Sequence, residues 1–437
     1  MELLSAILEN INDGLSNILP VVFTIIQDWW WIPLLVVFFN FWKKQWYFYK
    51  AYQWDLATPK ILLEIKVPAI VERPIKAMEN VFNTLWGLYG PPNWREKWLE
   101  GQFPPSFTFE IAGFNQEPHF YIRTEQKAKT LVESTIYSQY PDAEVIEVED
   151  YTKNVPNDIP NKEWNLFGVS MHLQRKDFFP IVTYKRFFEE VVSTPEEKRL
   201  DPLSSLMDGI ATLKPGEQIW IQICAMPVTI SGGDAEVKLE DQAQEYVDKA
   251  VKRPGKIKSK SLLQEGVQIL ATGKPTVAPE VKNLSSPEMD LTPREKDIIR
   301  SIEDKISKQC WQCSSRFIYL GTRDVFFKGV SKIPFAFYSA FASPHLNFFM
   351  IIKYTFTKIV YFFKKRRLYL RCRKLFRSYK MRVAPSFPEV VKGETFVLNS
   401  EELATMFHLP SKDAAPSPTL RRVGAKKSGP PSNLPTQ

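Results

Sequence analysis

Cysteine and histidine are scarce in this chain of 437 residues, which contains four of each. Four scattered cysteines are too few for a disulfide framework, so the sequence indicates a reducing compartment. Cys310 and Cys313 form one C-x-x-C pair, but no second pair of cysteines or histidines follows at zinc-finger spacing. Because tetrahedral zinc needs four ligands, we expect two ordinary thiols beside a strand and no metal ion.

Catalytic motifs are missing as well. No G-x-x-x-x-G-K-[ST] sequence occurs, so the loop that cradles nucleotide phosphates is absent. There is no G-x-S-x-G or H-E-x-x-H sequence, and acidic pairs such as Glu189-Glu190 stand in charged stretches. The expectation is a protein that is not an enzyme, with no catalytic residues and no cofactor.

Basic residues are absent before the longest apolar run, residues 18–42 (ILPVVFTIIQDWWWIPLLVVFFNFW). A helix of this length rises roughly 37 Å, enough to cross a hydrocarbon core of about 30 Å. Gln27 and Asp28 interrupt the run, so the predicted transmembrane helix begins near Trp29 and ends at about Tyr49. A signal peptide is the competing interpretation, but it requires a basic n-region and a small-residue cleavage site, which are missing.

Aromatic and basic residues flank this predicted helix, as they do at membrane interfaces. The predicted interface residues are Trp29, Trp30, Trp31, Trp42, Lys43, Lys44 and Trp46. Lysines follow the helix and none precedes it, so the positive-inside bias predicts a single-pass protein of the inner membrane. The amino terminus would lie outside, residues 50–437 would lie in the cytoplasm, and the membrane would be the first partner.

Alternating strand and helix patterns predict an α+β fold. Residues 61–148 have the order strand, helix, strand, strand, helix, strand, which is the ferredoxin-like order, and later segments repeat parts of it. We therefore expect an N-terminal transmembrane helix, two ferredoxin-like α/β sandwich units, a basic helical segment and an extended tail. The predicted boundaries are 1–50, 51–155, 156–325 with a polar insertion at 228–291, 326–395, and 396–437.

A run of basic residues is the main candidate for function. No acidic residue occurs between Asp324 and Glu389, and residues 364–382 (KKRRLYLRCRKLFRSYKMR) hold ten Lys or Arg. The aromatic stretch 333–363 precedes the run and leaves a second membrane helix open as an interpretation. Charged residues within that stretch disfavour it.

Three interpretations of the basic run stay open. It could be a solvated helix that packs Leu368, Leu370, Leu375 and Phe376 inward, a contact for anionic lipid, or a nucleic-acid track. In the last case the cations bind phosphates and the rings stack on bases. The predicted lipid or nucleic-acid contacts are Lys364, Lys365, Arg366, Arg367, Arg371, Arg373, Lys374 and Arg377.

Ten short segments distributed along the chain carry a family resemblance. They are LLEI at 62–65, FYIRT at 120–124, QYP at 139–141, EDY at 149–151, DPLSSL at 201–206, PGEQIWIQ at 215–222, RFIY at 316–319, KKRRL at 364–368, EELAT at 401–405 and PPSNLP at 430–435. Together they resemble the membrane-anchored amino-terminal region of the type IV secretion, conjugative-transfer ATPases of candidate-phyla bacteria.

This resemblance implies a role but no activity. In that family the region leads into a P-loop motor domain, whose ATP-binding residues have no counterparts here. We therefore expect a non-catalytic inner-membrane component of a type IV secretion or conjugative transfer system that anchors or docks a cytoplasmic ATPase. Its expected partners are a separate P-loop ATPase, DNA and further copies of the chain. The alternative is a membrane-tethered nucleic-acid-binding protein that acts without a motor.

Overall fold

The computed structural model describes residues 27–28, 31–66, 73–187, 201–231, 237–251, 291–360, 362–385 and 393–410. The chain forms two compact units. The described part of the first unit consists of residues 27–28, 31–58 and 92–103, and the second unit contains the other described residues. Most of the predicted insertion and the tail after residue 410 lie outside these ranges.

The first unit is built on one long helix, α1 (Trp31–Ala57). A π-helical turn, Glu96–Glu100, lies beside it. The Trp46 indole donates a hydrogen bond to the Trp98 carbonyl oxygen at 2.8 Å. Gly101 follows the turn with φ +80, and a Cβ atom there would lie 2.3 Å from the Lys50 carbonyl carbon. Only glycine permits this close approach of the two backbones.

The predicted transmembrane helix is wrong. Among the described residues, no helix has both the length and the apolar character that a bilayer crossing requires. Although α1 is 27 residues long, it carries Lys43, Lys44, Lys50 and Asp55. Its apolar stretch is therefore shorter than the roughly 20 residues that a span needs. The prediction of a single-pass inner-membrane protein depended on this helix and is therefore not supported.

The second unit is organised around one antiparallel sheet, which has nine strands within the described ranges. The strands are β1 (Lys60–Lys66), β2 (Phe107–Phe114), β3 (Glu117–Glu125), β4 (Glu144–Val148), β5 (Trp164–Leu173), β6 (Glu217–Val228), β7 (Cys310–Thr322), β8 (Phe349–Ile351) and β9 (Phe396–Asn399). Their order is β4-β1-β3-β2-β6-β7-β5-β8, and β9 pairs with β7.

Helices connect and cover these strands. They are α2 (Lys76–Trp86), α3 (Lys129–Gln139), α4 (Tyr184–Phe187), α5 (Ser204–Ala211), α6 (Leu239–Ala250), α7 (Pro293–Ile306), α8 (Lys332–Ala340), α9 (Lys364–Met381) and α10 (Ser400–Met406). Thr292 begins α7 with a capping box, because its side chain and that of Glu295 each accept a backbone N–H of the other residue. Strands and helices both abound, so the fold is α+β as predicted.

The sheet consists of two halves with one topology. In the first half the chain order is β1-α2-β2-β3-α3-β4 and the spatial order is 4-1-3-2, the ferredoxin-like arrangement. Strands β5 to β8 repeat the same spatial order. The halves meet where β2 pairs with β6, from Phe107 opposite Ala225 to Phe114 opposite Gln218. Backbone hydrogen bonds therefore run without a break from one half to the other.

Both faces of the sheet are buried. Along β1, Leu63 packs in a core cluster with Val81 and Phe82 of α2, whereas Leu62 belongs to a second cluster with Leu375 of α9. Successive strand residues point to opposite faces, so this alternation assigns α2 and α9 to opposite sides of the sheet. The basic helix is thus a covering layer of the fold.

The segment from β9 to α10 connects the two halves on the α2 face. Asn399 caps α10, and the side chains of Asn399 and Glu402 form a capping box. All residues of α10 are buried. The Phe407 ring lies 5.3 Å from the Phe109 ring of the first half, and the Phe396 ring lies 5.5 Å from the Phe349 ring of the second.

Candidate functional site

The carboxyl-terminal part of α9, residues 371–381, is docked on the sheet. Its apolar side chains Cys372, Leu375, Phe376 and Tyr379 are buried there. Gly168 on β5 makes room for the helix, since a Cβ atom at this position would lie 2.9 Å from Leu375 Cδ2. We call residues 371–381 the docked segment and residues 364–370 the outer segment.

A buried arginine fastens the end of the docked segment. Arg382 stands at the left-handed C-cap of α9 (φ 49, ψ 49), and its guanidinium binds two carboxylates. Arg382 Nε and Nη2 lie 2.6 and 3.0 Å from the Glu110 oxygens, and Nη1 and Nη2 lie 2.6 and 3.0 Å from the Asp150 oxygens. Burial raises the pKa of Asp150, but the bonds and charge of Arg382 outweigh this effect and lower it to about 2.

Two tyrosines complete this network. The Tyr151 hydroxyl donates to Glu110 Oε2 at 2.8 Å, so the Tyr379 hydroxyl, 2.8 Å away, donates to Tyr151. Burial, together with the negative charge of Glu110, raises the pKa of both phenols well above its usual value. Every oxygen of the Glu110 carboxylate is thus hydrogen-bonded, which is what a buried charge requires.

Two further side chains bind the last turn of α9. Arg316 Nη1 donates to the Ser378 carbonyl oxygen at 2.8 Å, and Gln222 Nε2 donates to the Tyr379 carbonyl oxygen at 3.0 Å. Arg316 is buried and lies beside the negative end of the helix dipole. Glu110, Gln222 and Arg316 occupy directly opposed positions on β2, β6 and β7. One polar row across the sheet therefore holds the carboxyl-terminal end of the basic helix.

The predicted contact residues lie mainly on the outside of α9. Arg371 is the exception, because it is half-buried and donates to the Phe356 carbonyl oxygen at 2.7 Å. The exposed members of the set are Lys364, Lys365, Arg366, Arg367, Arg373, Lys374 and Arg377. We call these seven side chains the basic face.

The cations of the basic face are unpaired in the part of the chain that the structure describes. Within the described ranges, none of its seven side chains forms a salt bridge. Other surface lysines are paired, for example Lys129 with Glu147 at 2.6 Å. Arg373 instead lies over the Tyr369 ring, 5.4 Å from its centroid. Because no described carboxylate is paired with these cations, they are available to bind an anion.

Exposed apolar side chains surround the outer segment. Phe362 and Phe363, directly before α9, are 88% and 81% exposed. The solvated-helix interpretation expected four side chains to pack inward. Leu375 and Phe376 are buried and Leu368 is half-buried against the same core cluster, whereas Leu370 is 55% exposed. The outer segment thus presents both cations and rings to a partner.

A protein-family model matches residues 73–418, which is most of the chain. The chain belongs to the DUF8128 family, described as a domain of unknown function. The matched part of this DUF8128 protein includes α9 and all strands except β1, and α1 precedes it. A comparison with curated proteins finds no match.

The structure describes five of the seven predicted membrane-interface residues. Trp29 and Trp30 lie outside the described residues. Trp31, Trp42 and Lys44 are exposed on α1, and the Trp42 ring stacks on Trp46 with centroids 5.8 Å apart. Lys43 Nζ lies 4.6 Å from the Trp98 ring centroid. The bilayer contact of these residues stays a prediction.

The cysteines of the DUF8128 chain are all buried. Cys310 and Cys313 belong to different core clusters. Burial raises the pKa of the Cys310 thiol to about 12 and that of Cys313 well above its usual value. Among the described residues there is no group of three or more metal-ligating side chains. Cys310 and Cys313 are both on β7.

The sequence did not reveal the buried charges. Lys305 and Glu402 form a fully buried pair, with 3.0 Å between Nζ and Oε2. His408 Nε2 lies 3.0 Å from Asp201 Oδ1. Isolated charged residues in a sequence are normally assigned to the surface. The only sequence signal for Glu402 was local, because it is the third residue of a capping box. These pairs fasten the segment that follows β9.

Proposed function

We propose that this DUF8128 protein binds nucleic acid through the basic face of α9. The proposal rests on one observation, namely seven exposed cations on a helix that form no salt bridge with any carboxylate in the described part of the chain. From Lys364 to Arg377 the helix rises about 20 Å, and duplex DNA presents about twelve phosphates over that distance. An extended polyanion therefore matches the length of the basic face.

The alternative that α9 is a solvated helix without a partner explains the basic face less well than nucleic-acid binding does. A solvated helix gains stability from acidic and basic residues spaced three or four apart, whereas α9 contains no acidic residue. Its cations repel one another in the unbound protein, and a polyanion relieves that repulsion. Anionic lipid headgroups would use the same charges, and that interpretation stays untested.

The wider role implied by the sequence resemblance remains a second proposal. It describes a non-catalytic component of a transfer apparatus that docks a separate P-loop ATPase and assembles with further copies of the chain. The resembling segments are mostly parts of strands and caps, such as Glu402 in its capping box and Arg316 beneath α9. These positions support a resemblance of fold, so we rest the nucleic-acid proposal on the basic face alone.

The decisive experiment is fluorescence anisotropy with a labelled oligonucleotide of about 20 nucleotides, titrated at several salt concentrations. We expect log affinity to fall linearly with log salt, by about 0.7–0.9 for each phosphate contact. The test variant replaces four members of the basic face by glutamine: Arg366→Gln, Arg367→Gln, Arg373→Gln and Arg377→Gln. Its salt slope should be smaller by up to about 3, and its affinity should fall by at least tenfold.

A matched control removes four paired surface charges elsewhere: Lys66→Gln, Lys127→Gln, Lys129→Gln and Lys249→Gln. Each of these lysines faces a carboxylate in the structure. Equal losses in the test and control variants would mean that only net charge matters, and would refute a specific role for the basic face. Undetectable or salt-independent binding by the wild-type protein would refute the proposed function itself.

A further inference from the structure

The two segments of α9 differ in what holds them as helix. The docked segment has four buried side chains and three sheet residues that bind its end. In the outer segment only Leu368 packs against the core, and it is half-buried, while every other side chain is exposed. Packing supplies most of the stability of helices in proteins, and isolated helices of less than three turns are marginal in water. The outer segment therefore depends on its local sequence.

That local sequence opposes the helix. Its first turn has four consecutive cations, Lys364, Lys365, Arg366 and Arg367, and no acidic residue. Cations near a helix amino terminus oppose the dipole, and like charges three or four residues apart repel. The N-cap residue Phe363 has a left-handed backbone (φ 56) and provides no side-chain hydrogen bond. Phenylalanine is disfavoured in this conformation and at this position.

We infer that the outer segment, residues 364–370, forms a stable helix only when a polyanion occupies the basic face, so that nucleic-acid binding and helix formation are coupled. Bound phosphates supply the negative charge that the first turn lacks, and they remove the repulsion among its four cations. The docked segment stays helical in both states and acts as the template from which the outer segment extends. This inference rests on the proposed function and adds that binding is regulated by the folding of the outer segment.

A substitution pair at Leu370 tests the coupling without altering a charge. Leu370 is exposed and carries no hydrogen bond from its side chain, and alanine retains helix propensity whereas glycine lowers it. If folding of the outer segment accompanies binding, Leu370→Gly should bind the labelled oligonucleotide about five-fold more weakly than Leu370→Ala. Ser134→Gly and Ser134→Ala, an exposed pair on α3, should bind alike and control for general destabilisation.

Amide hydrogen exchange provides the direct observation. With the oligonucleotide bound, exchange of residues 368–370 should slow by at least tenfold, while amides of the docked segment change little. Equal affinities of Leu370→Gly and Leu370→Ala, or slow exchange of the outer segment before binding, would overturn the coupling while leaving the proposed function intact. If the wild-type protein does not bind the oligonucleotide, the proposed function fails first.

Discussion

Arg382 and Glu110 form a bidentate ion pair on the α9 face of the sheet, although 272 positions separate them in the chain. Glu110 belongs to β2, which is the strand of the first half that pairs with the second half. Arg382 ends the helix that carries the basic face. The ion pair therefore links the helix of the candidate site to the strand at which the two halves of the sheet meet.

Breaking this pair should destabilise the protein strongly. We expect Arg382→Met to lower the free energy of unfolding by about 3–5 kcal/mol, because Glu110 remains buried without a counter-charge. The measurement is urea unfolding followed by circular dichroism. The double variant Arg382→Met with Glu110→Gln serves as the control, since it removes both charges. A double variant at least as unstable as the single one would contradict this explanation.

Asp150 should make the protein sensitive to acid. Its pKa is about 2 in the folded protein, against an ordinary aspartate value of 3.8. A carboxyl group with a lowered folded pKa stabilises the protein above the unfolded value, and that stability is lost as pH falls from about 4 to about 2. Asp150→Asn should remove this part of the dependence. Identical curves for Asp150→Asn and the wild type between pH 4 and 2 would refute the assignment.

Asp177 should have the opposite effect. Burial raises its pKa to about 6, against the lowering effect of nearby Lys305. Between pH 4 and 6 the unfolded state ionises before the native state does, so stability should fall as pH rises through that window. Asp177→Asn should flatten the profile of unfolding free energy against pH. A profile that still declines between pH 4 and 6 would show that another group is responsible.

Gly168 should control the position of α9. A Cβ atom there would lie 2.6 Å from the Phe317 carbonyl oxygen and 2.9 Å from Leu375 Cδ2. We expect Gly168→Ala to lower unfolding free energy by about 1–3 kcal/mol through overpacking. It should also accelerate amide exchange in the docked segment. Unchanged exchange in that segment would show that the helix tolerates the added methyl group.

The sequence predicted local elements better than long-range relationships. The strand and helix patterns of residues 61–148 predicted the element order of the first half, which the structure confirms. The predicted transmembrane helix, Trp29 to Tyr49, was wrong because it extended the apolar run 18–42 across Lys43 and Lys44, which belong to α1. The Arg382–Glu110 pair could not be predicted, since neither local pattern nor spacing relates residues so distant. The basic run was predicted as a candidate contact, and only the structure divided it into docked and outer segments.

The segment from β9 to α10 also constrains the order of events during synthesis. Strand β9 pairs with β7, and Phe407 packs on Phe109 and Phe120, which a ribosome makes almost 300 residues earlier. The helices α2, α3, α5 and α8 can cover much of the shared apolar face while the chain is growing, but the part that contacts Phe396 and Phe407 stays open until residues 396–410 emerge. The nascent chain therefore exposes part of this apolar face for most of its translation, and exposed apolar surface of this kind favours aggregation until the last segment docks.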